Sequence, residues 1–394
     1  MRSLVIILVL VLAVAFDNDY AESIKIVPDS RNNEAMLVES MLSISNNRLD
    51  VALNEVDSLL KINPNFQLAQ LVRGDLLSAR TRPLNTLGDA PNAPIARMED
   101  LRDEARVRLQ RFQEQSPAAA APKYLWQLDA EQHHAIVVDT SKSTLYLFEN
   151  VNGTPRYVAD YYITSGKKGS EKVSEGDQKT PLGVYFIKSS IPKSKLSDFY
   201  GNAAYPINYP NEWDLKHGRN GHGIWLHGTP SNTYSRPPRA SNGCVVLSND
   251  DLENIGKMLQ VGVTPVIITD QMEWSNEQDQ ADHADLLGEL EQWRKDWAKI
   301  DTDSYMKHYA SDFYSGNLNY SAWGQNKTQV NSRKTWISVK LTNLSIFDYP
   351  GEPNLVVVNF EQDYSSNNLS NLMKKRQYWL KRNNKWQIIY EGAA

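Results

Sequence analysis

The chain has 394 residues, 41% of them hydrophobic and 10 of them Trp, enough apolar material for roughly two to four domains with packed cores. The net charge of −5 is mild and argues against nucleic acid as the main partner, because a phosphate backbone is bound through a strongly basic face. A single cysteine excludes any internal disulfide, so the fold must rest on hydrophobic burial.

Met1-Arg2 is followed by an apolar stretch from Leu4 to Ala15 that ends in Ala13-Val14-Ala15. A basic start, a short apolar run and small residues at its end predict a signal peptide over residues 1–22 and an exported, periplasmic mature chain. The run is shorter than the roughly 20 apolar residues that cross a bilayer, and an uncleaved membrane anchor is the alternative reading. No cysteine stands directly after the run, which argues against a lipid anchor through cysteine.

Residues 23–116 read as a helical arm. Leu49, Leu53, Val56 and Leu60 fall at i, i+4, i+7 and i+11, one apolar stripe, and Ala69, Val72, Leu76 and Ala79 resume that spacing after Asn63-Pro64-Asn65. The two helices look like one tetratricopeptide-type hairpin, too few for a stacked array, so a cap or docking arm is expected. Arg82 to Pro94 is a loop, a further helix is expected over Arg97 to Gln113, and Ser116 to Pro122 reads as a linker.

From residue 124 to 271 the pattern changes to short strands: Ala135–Asp139, Thr144–Glu149, Tyr157–Thr164, Gly183–Ser189, Gly223–His227 and Thr264–Thr269. Alternation in the fifth puts Trp225 and His227 on one face and Ile224 and Leu226 on the other, so one face can pack while the other serves a site. Ser248, with Asp251 three positions on, predicts the N-cap of a short helix through Leu259. Residues 280–394 begin with an amphipathic helix (Leu286, Leu290, Trp293, Trp297, Ile300) followed by runs at Thr335–Phe347, Asn354–Tyr364, Lys375–Arg382 and Lys385–Tyr390, with Asn383-Asn384 as a hairpin turn. A helix followed by a curved antiparallel sheet resembles the nuclear transport factor 2-like cone. The predicted fold class is therefore multidomain: a helical N-terminal arm, a mainly-β domain and an α+β cone-like C-terminal domain.

The sole cysteine, Cys244, stands in Ser241-Asn242-Gly243-Cys244, and His227 opens His227-Gly228-Thr229-Pro230 upstream of it. A free cysteine is commonly a small buried hydrophobe. Asn242-Gly243, however, favour irregular exposed backbone over a strand interior. A thiol with an ordinary pKa of about 8.5 is only slightly ionised at neutral pH, so a nucleophilic cysteine needs a base, and His227 is the candidate. The N–H groups of Gly243 and Cys244 are candidates for an oxyanion hole. Together these groups describe acyl transfer through a thioester, with the final acceptor open. An alternative takes His217, His222 and His227 as zinc ligands, although the first interval is a glycine-containing loop. A non-enzymatic reading is a periplasmic scaffold in which arm and cone bind partners.

These residues resemble the YkuD-type L,D-transpeptidase family, whose signature is His-Gly-Ser/Thr followed by Ser-x-Gly-Cys. The match falls on His227, Gly228, Thr229, Ser241, Gly243 and Cys244. It is extended by Ile136-Val137-Val138-Asp139 with Leu145-Tyr146-Leu147, by Gly176 to Gly183, and by Gly223-Ile224-Trp225-Leu226. The resemblance implies a catalytic domain acting on peptidoglycan stem peptides, with no metal or organic cofactor and with sensitivity to carbapenems. Cys244 would attack the L-centre carbonyl of the diamino acid and release D-alanine. His227 would act as base, the Gly228 carbonyl would orient its ring, and Ser241 would shape the turn. Ser241, Thr229, Trp225, His222 and Asn242 are the further candidates at the substrate.

Two positions depart from the family pattern: Val246 stands where an arginine is common, and Asn242 where a second histidine is common. Recognition of the substrate carboxylate is therefore assigned to Arg236 and Arg239, with Lys216 or Arg219, against the plain alternative of solvated loop charges. A subgroup with such departures and a C-terminal cone resembles L,D-carboxypeptidases that trim tetrapeptides and influence cell shape. Water and an amine stand level as acceptors. Cell-wall or cell-shape proteins are expected partners of the arm and the cone.

Overall fold

The computed structural model describes residues 31–90, 92–114 and 121–394; the expected leader and most of the Ala/Pro-rich linker lie outside the described residues. Among these residues the arm consists of α1 (Arg31–Ser45), α2 (Leu49–Ile62), α3 (Gln67–Ser78) and α4 (Ile95–Gln113). Asn63-Pro64-Asn65 forms the turn between α2 and α3, closed by the Phe66 N–H on the Asn63 carbonyl at 3.1 Å. A two-helix hairpin leaves an apolar face uncovered. Here α1 and α4 cover it, burying Leu37, Val38, Leu101 and Ala105 against Val56, Leu59, Phe66 and Val72.

The central region opens with β1 (Leu125–Gln127), β2 (His134–Asp139), β3 (Thr144–Val151), β4 (Thr154–Tyr162), β5 (Ser165–Gly166) and β6 (Gly183–Phe186). It continues through β7 (Ile191–Pro192), β8 (Ala203–Pro206), α5 (Glu212–Lys216), β9 (Trp225–His227), β10 (Arg239–Ser241), β11 (Val245–Val246), α6 (Asn249–Gly256) and β12 (Pro265–Thr269). One sheet runs β4-β3-β2-β12-β6 and a second runs β11-β9-β8-β7. The unbroken apolar runs of β2 and β12 follow from burial on both faces. Ile136, Val138, Val266 and Ile268 face the second sheet, while Ala135, Val137 and Ile267 face the C-terminal domain. Ser248 caps α6, its side chain accepting from the Asp251 N–H. Strand β9 begins at Trp225, two residues later than expected, because Gly223 adopts a φ of +75° that no strand accommodates.

The C-terminal domain comprises α7 (Glu277–Ala298), α8 (Thr302–Met306), β13 (Tyr309–Ser315), β14 (Leu318–Asn319), α9 (Tyr320–Asn331), β15 (Ile337–Asp348), β16 (Leu355–Ser366), β17 (Leu369–Arg382) and β18 (Lys385–Ala393). Asn383 and Asn384 both have positive φ (50° and 59°), which makes the two-residue turn between β17 and β18. Helix α7 buries Leu286, Leu290, Trp293 and Trp297 in the hollow of the sheet. The sheet order is β1-β15-β16-β17-β18-β13-β14, so β1, at the start of the central region, completes the C-terminal sheet by pairing antiparallel with β15.

Candidate active site

Strands β9 and β11 run parallel, with Val246 opposite His227 and Val245 opposite Leu226. Leu226 and Val245 point into the core, so alternation turns Trp225 and His227 the other way. Cys244 immediately precedes β11 and lies alongside Trp225, whose backbone N–H bonds the sulfur; the Sγ–H contacts the Gly223 carbonyl at 3.4 Å. The turn before it is built by Ser241, whose Oγ donates to the Cys244 carbonyl at 2.6 Å and accepts the Gly243 N–H at 3.0 Å. Gly243 has φ +123°, and a Cβ there would meet the Lys179 carbonyl oxygen at 2.7 Å. Beneath the turn, the Thr180 hydroxyl donates to the Gly243 carbonyl at 3.1 Å and accepts the Gly166 N–H at 2.9 Å.

His227 is buried, with its ring edge-on to Tyr200 at 5.1 Å and tilted against Phe199 at 6.1 Å. Its Nδ1 lies 2.7 Å from the Gly228 carbonyl. A carbonyl only accepts, so Nδ1 carries the proton and Nε2 is left with a free lone pair, the form a general base requires. Burial pushes the imidazole down to about 4; the Gly228 bond works against this shift and the Arg236 charge adds to it. Burial pushes the Cys244 thiol up to about 11, opposed by the Trp225 N–H and the charges of Arg236 and Lys172. The resting pair at neutral pH is therefore a neutral thiol beside a neutral base.

Residues 133–268 match the L,D-transpeptidase catalytic domain of YkuD type, and residues 285–392 match the Cds6 C-terminal NTF2-like domain. The chain carries a YkuD-type L,D-transpeptidase catalytic domain. It is similar in structure to Bd1075 of Bdellovibrio bacteriovorus, with 28% identity and a TM-score of 0.62 over 70% of this chain and 98% of that one. It is also similar to the helical cell shape determining protein Pgp2 of Campylobacter jejuni, with 25% identity and a TM-score of 0.59 over 70% of this chain and 96% of that one. Both share the pairing of a YkuD-like domain with an NTF2-like domain. A comparison with curated protein sequences returned no match.

Within the L,D-transpeptidase domain, several residues expected at the substrate sit elsewhere. The Gly243 N–H, expected to face an oxyanion, is taken by Ser241 Oγ. The Cys244 N–H is the other donor of the expected pair. Ser241 itself is buried in the turn, and Thr229 is buried with its hydroxyl on the Tyr234 carbonyl at 3.3 Å, so both shape backbone. Arg219 bridges Asp214 at 3.2 Å and Glu352 at 3.3 Å, and Lys216 lies 4.3 Å over the Tyr314 ring; both tie the domain to its C-terminal neighbour instead of standing free for a substrate carboxylate. His222 is exposed and lies 3.6 Å from the Glu175 carboxylate, and Asn242 and Arg239 are also exposed. Of the four basic candidates, Arg236 is the one the fold brings to the centre, its guanidinium 4.6 Å over the Phe199 ring and donating to the Phe199 carbonyl at 3.3 Å.

The three histidines of the zinc alternative diverge: His217 Nδ1 meets the Trp213 carbonyl at 2.8 Å, His222 is on the surface and His227 is in the site. Among the described residues no cluster of His, Cys, Asp and Glu could hold a metal ion.

Sequence reasoning missed three contributors. Phe199 and Tyr200 form an aromatic wall with Trp225, the Tyr200 and Trp225 rings 4.8 Å apart. Their one signal was an aromatic pair inside the polar run Ser197 to Gly201. Lys172 is buried and its charge acts on the thiol, while its Nζ donates to Asp177 at 2.7 Å and to the Ser174 carbonyl at 2.9 Å. Burial opposes ionisation of Asp177, but Lys172 and the N–H groups of Ser174, Val173 and Lys179 outweigh it and hold the carboxyl down at about 2.

Proposed function

We propose that the protein is a periplasmic, peptidoglycan-modifying cysteine acyltransferase that acts on stem peptides at the bond between the diamino acid and D-alanine. The observation that carries this reading is the lone thiol of Cys244 at the start of the strand that pairs with the one bearing His227, whose Nδ1 proton is committed to the Gly228 carbonyl. The Cys244 Sγ attacks the carbonyl carbon of the L-centre while His227 Nε2 takes the thiol proton. The tetrahedral oxyanion is met by the Cys244 N–H. As the C–N bond breaks, the imidazolium returns its proton to the departing amine of D-alanine, leaving a thioester. Arg236, at the aromatic wall, is positioned for the substrate carboxylate.

Water is the acceptor this reading favours, giving an L,D-carboxypeptidase that trims tetrapeptide to tripeptide. Support comes from the architecture shared with Pgp2, a helical cell shape determining protein. Transpeptidation is the second reading, favoured by the L,D-transpeptidase match itself. The test incubates the mature protein with a disaccharide tetrapeptide and separates products by mass, with Cys244→Ala as control. Loss of D-alanine alone supports the carboxypeptidase, and a cross-linked dimer supports the transpeptidase. No product, together with no carbapenem adduct on Cys244, would sink the acyltransferase reading in favour of a scaffold.

A further inference from the structure

The helical arm grips the segment between β9 and β10 that carries Arg236. Phe66, at the start of α3, packs its ring 4.5 Å from that of Tyr234. The Tyr234 N–H donates to the Asn65 carbonyl and Asn65 Nδ2 donates to the Ser231 carbonyl, both at 3.3 Å. Ser235 Oγ, buried, donates to Glu104 Oε1 of α4 at 2.7 Å. The same carboxylate oxygen accepts Arg108 Nε at 3.1 Å and Arg108 Nη2 at 2.8 Å. The Arg108 guanidinium lies 3.7 Å over the Tyr162 ring, and the Tyr162 hydroxyl donates to the Arg236 carbonyl at 2.9 Å. Both the residue before Arg236 and its own carbonyl are thus fixed by groups that the arm organises.

Docking two domains does not require a buried carboxylate, whose desolvation is unfavourable and has to be offset by hydrogen bonds and an opposite charge. Glu104 is fully buried and is aimed at a loop hydroxyl next to Arg236, whose guanidinium packs on Phe199 at the site. The geometry points to a role for the arm in the catalytic centre: through Glu104 to Ser235 and Phe66 to Tyr234 it holds Arg236 against Phe199, beside the Cys244 thiol and His227. Glu104, Ser235 and Phe66 are positioning residues acting through Arg236. The consequence for turnover rests on the cysteine acyltransferase reading, but the placement of Arg236 is testable without it.

Because Cys244 is the only cysteine, alkylation by iodoacetamide reports a single thiol. The charged and titratable groups around it are Arg236, Lys172 and His227, and Lys172 is held separately by Asp177. Alkylation rates of the full mature chain are measured across pH for wild type, Arg236→Gln, Ser235→Ala, Ser235→Thr and the Ser235→Ala/Arg236→Gln double variant, with thermal midpoints confirming folding. Removing a nearby cation lowers the thiolate fraction, so Arg236→Gln is expected to slow alkylation about three- to tenfold near pH 8. Ser235→Ala is expected to reproduce much of that loss, to add nothing in the double variant, and to be reversed by Ser235→Thr. Should Ser235→Ala fail to fold, Phe66→Leu carries the same expectation.

Wild-type rates in Ser235→Ala or Phe66→Leu, with Arg236→Gln slowed, would overturn the role of the arm. Unchanged rates in Arg236→Gln would overturn the placement of Arg236. The peptide assay is read separately, so an inactive wild type showing the expected alkylation pattern would count against the substrate reading alone.

Discussion

A base that is neutral in the resting site can accept a proton at once, whereas one already protonated cannot. Burial keeps His227 in that state, with its pKa down at about 4. The same burial has a cost in acid. In the unfolded chain histidine titrates at about 6.5, so between that pH and about 4 the unfolded state binds the proton and the folded state does not. The contribution of His227 to stability is therefore complete above ~6.5 and is lost as pH falls toward the folded value, by about 3 kcal/mol in all. Thermal midpoints of wild type and His227→Gln between pH 7.5 and 4 should converge as pH falls; parallel curves would contradict a neutral buried imidazole. At pH 7 the same variant should lose roughly 10²- to 10⁴-fold in kcat on the tetrapeptide, the usual range for a general base.

At the scale of the element, the turn from Ser241 to Cys244 shows how local chemistry and distant chain cooperate. Ser241 and Gly243 form a closed hydrogen-bonded turn, and the same closure engages the Gly243 N–H that was expected to face an oxyanion. What supports the turn is the segment ending at Thr180, far away in the chain. Gly243→Ala forces a side chain into a positive φ and against the Lys179 carbonyl, so a stability loss of about 1–3 kcal/mol is expected, with turnover lost because the thiol shifts. Denaturant midpoints and the peptide assay check this; a fully active, equally stable variant would show the turn to be slack. The strand and helix periodicities, the Ser248 cap and the Asn383-Asn384 turn were legible because each depends on neighbours a few residues away. The fates of Arg219 and Lys216 were not, since their partners Glu352 and Tyr314 belong to another domain.

Across the whole molecule the central domain is held from two sides. The arm fixes the segment that carries Arg236, and the C-terminal domain fixes α5 and the loop leading to Gly223, where the thiol rests. There Glu212 meets Arg376 Nη1 at 3.1 Å and the Tyr378 hydroxyl at 3.0 Å, and Trp213 Nε1 donates to Glu352 at 3.0 Å. One hydrophobic cluster combines Tyr124, Val137, Phe148, Phe186 and Ile267 with Phe347, Val357 and Tyr378. Cutting the chain before residue 277 would expose that face and leave β1 without its partner β15. The truncated protein is expected to be insoluble or to lack a cooperative thermal transition, as circular dichroism would show. A soluble, cooperatively folding fragment would mean that the C-terminal domain is an appended module.

Taken alone, the sequence determined what is written in short-range pattern and in the identity of rare residues: a helical arm, a β domain with one thiol and one well-placed histidine, and a cone-like end. Those properties follow from periodicity, turn chemistry and the presence of a single cysteine, all properties of a few adjacent positions. Only the tertiary structure decided that Arg236 and not Arg219 is directed to the site, that Phe199, Tyr200 and Lys172 contribute to its surroundings, and that β1 completes a sheet of the C-terminal domain. Each depends on contacts between distant parts of the chain, such as the 131 positions separating Glu104 from Ser235, and no local pattern encodes which surfaces meet.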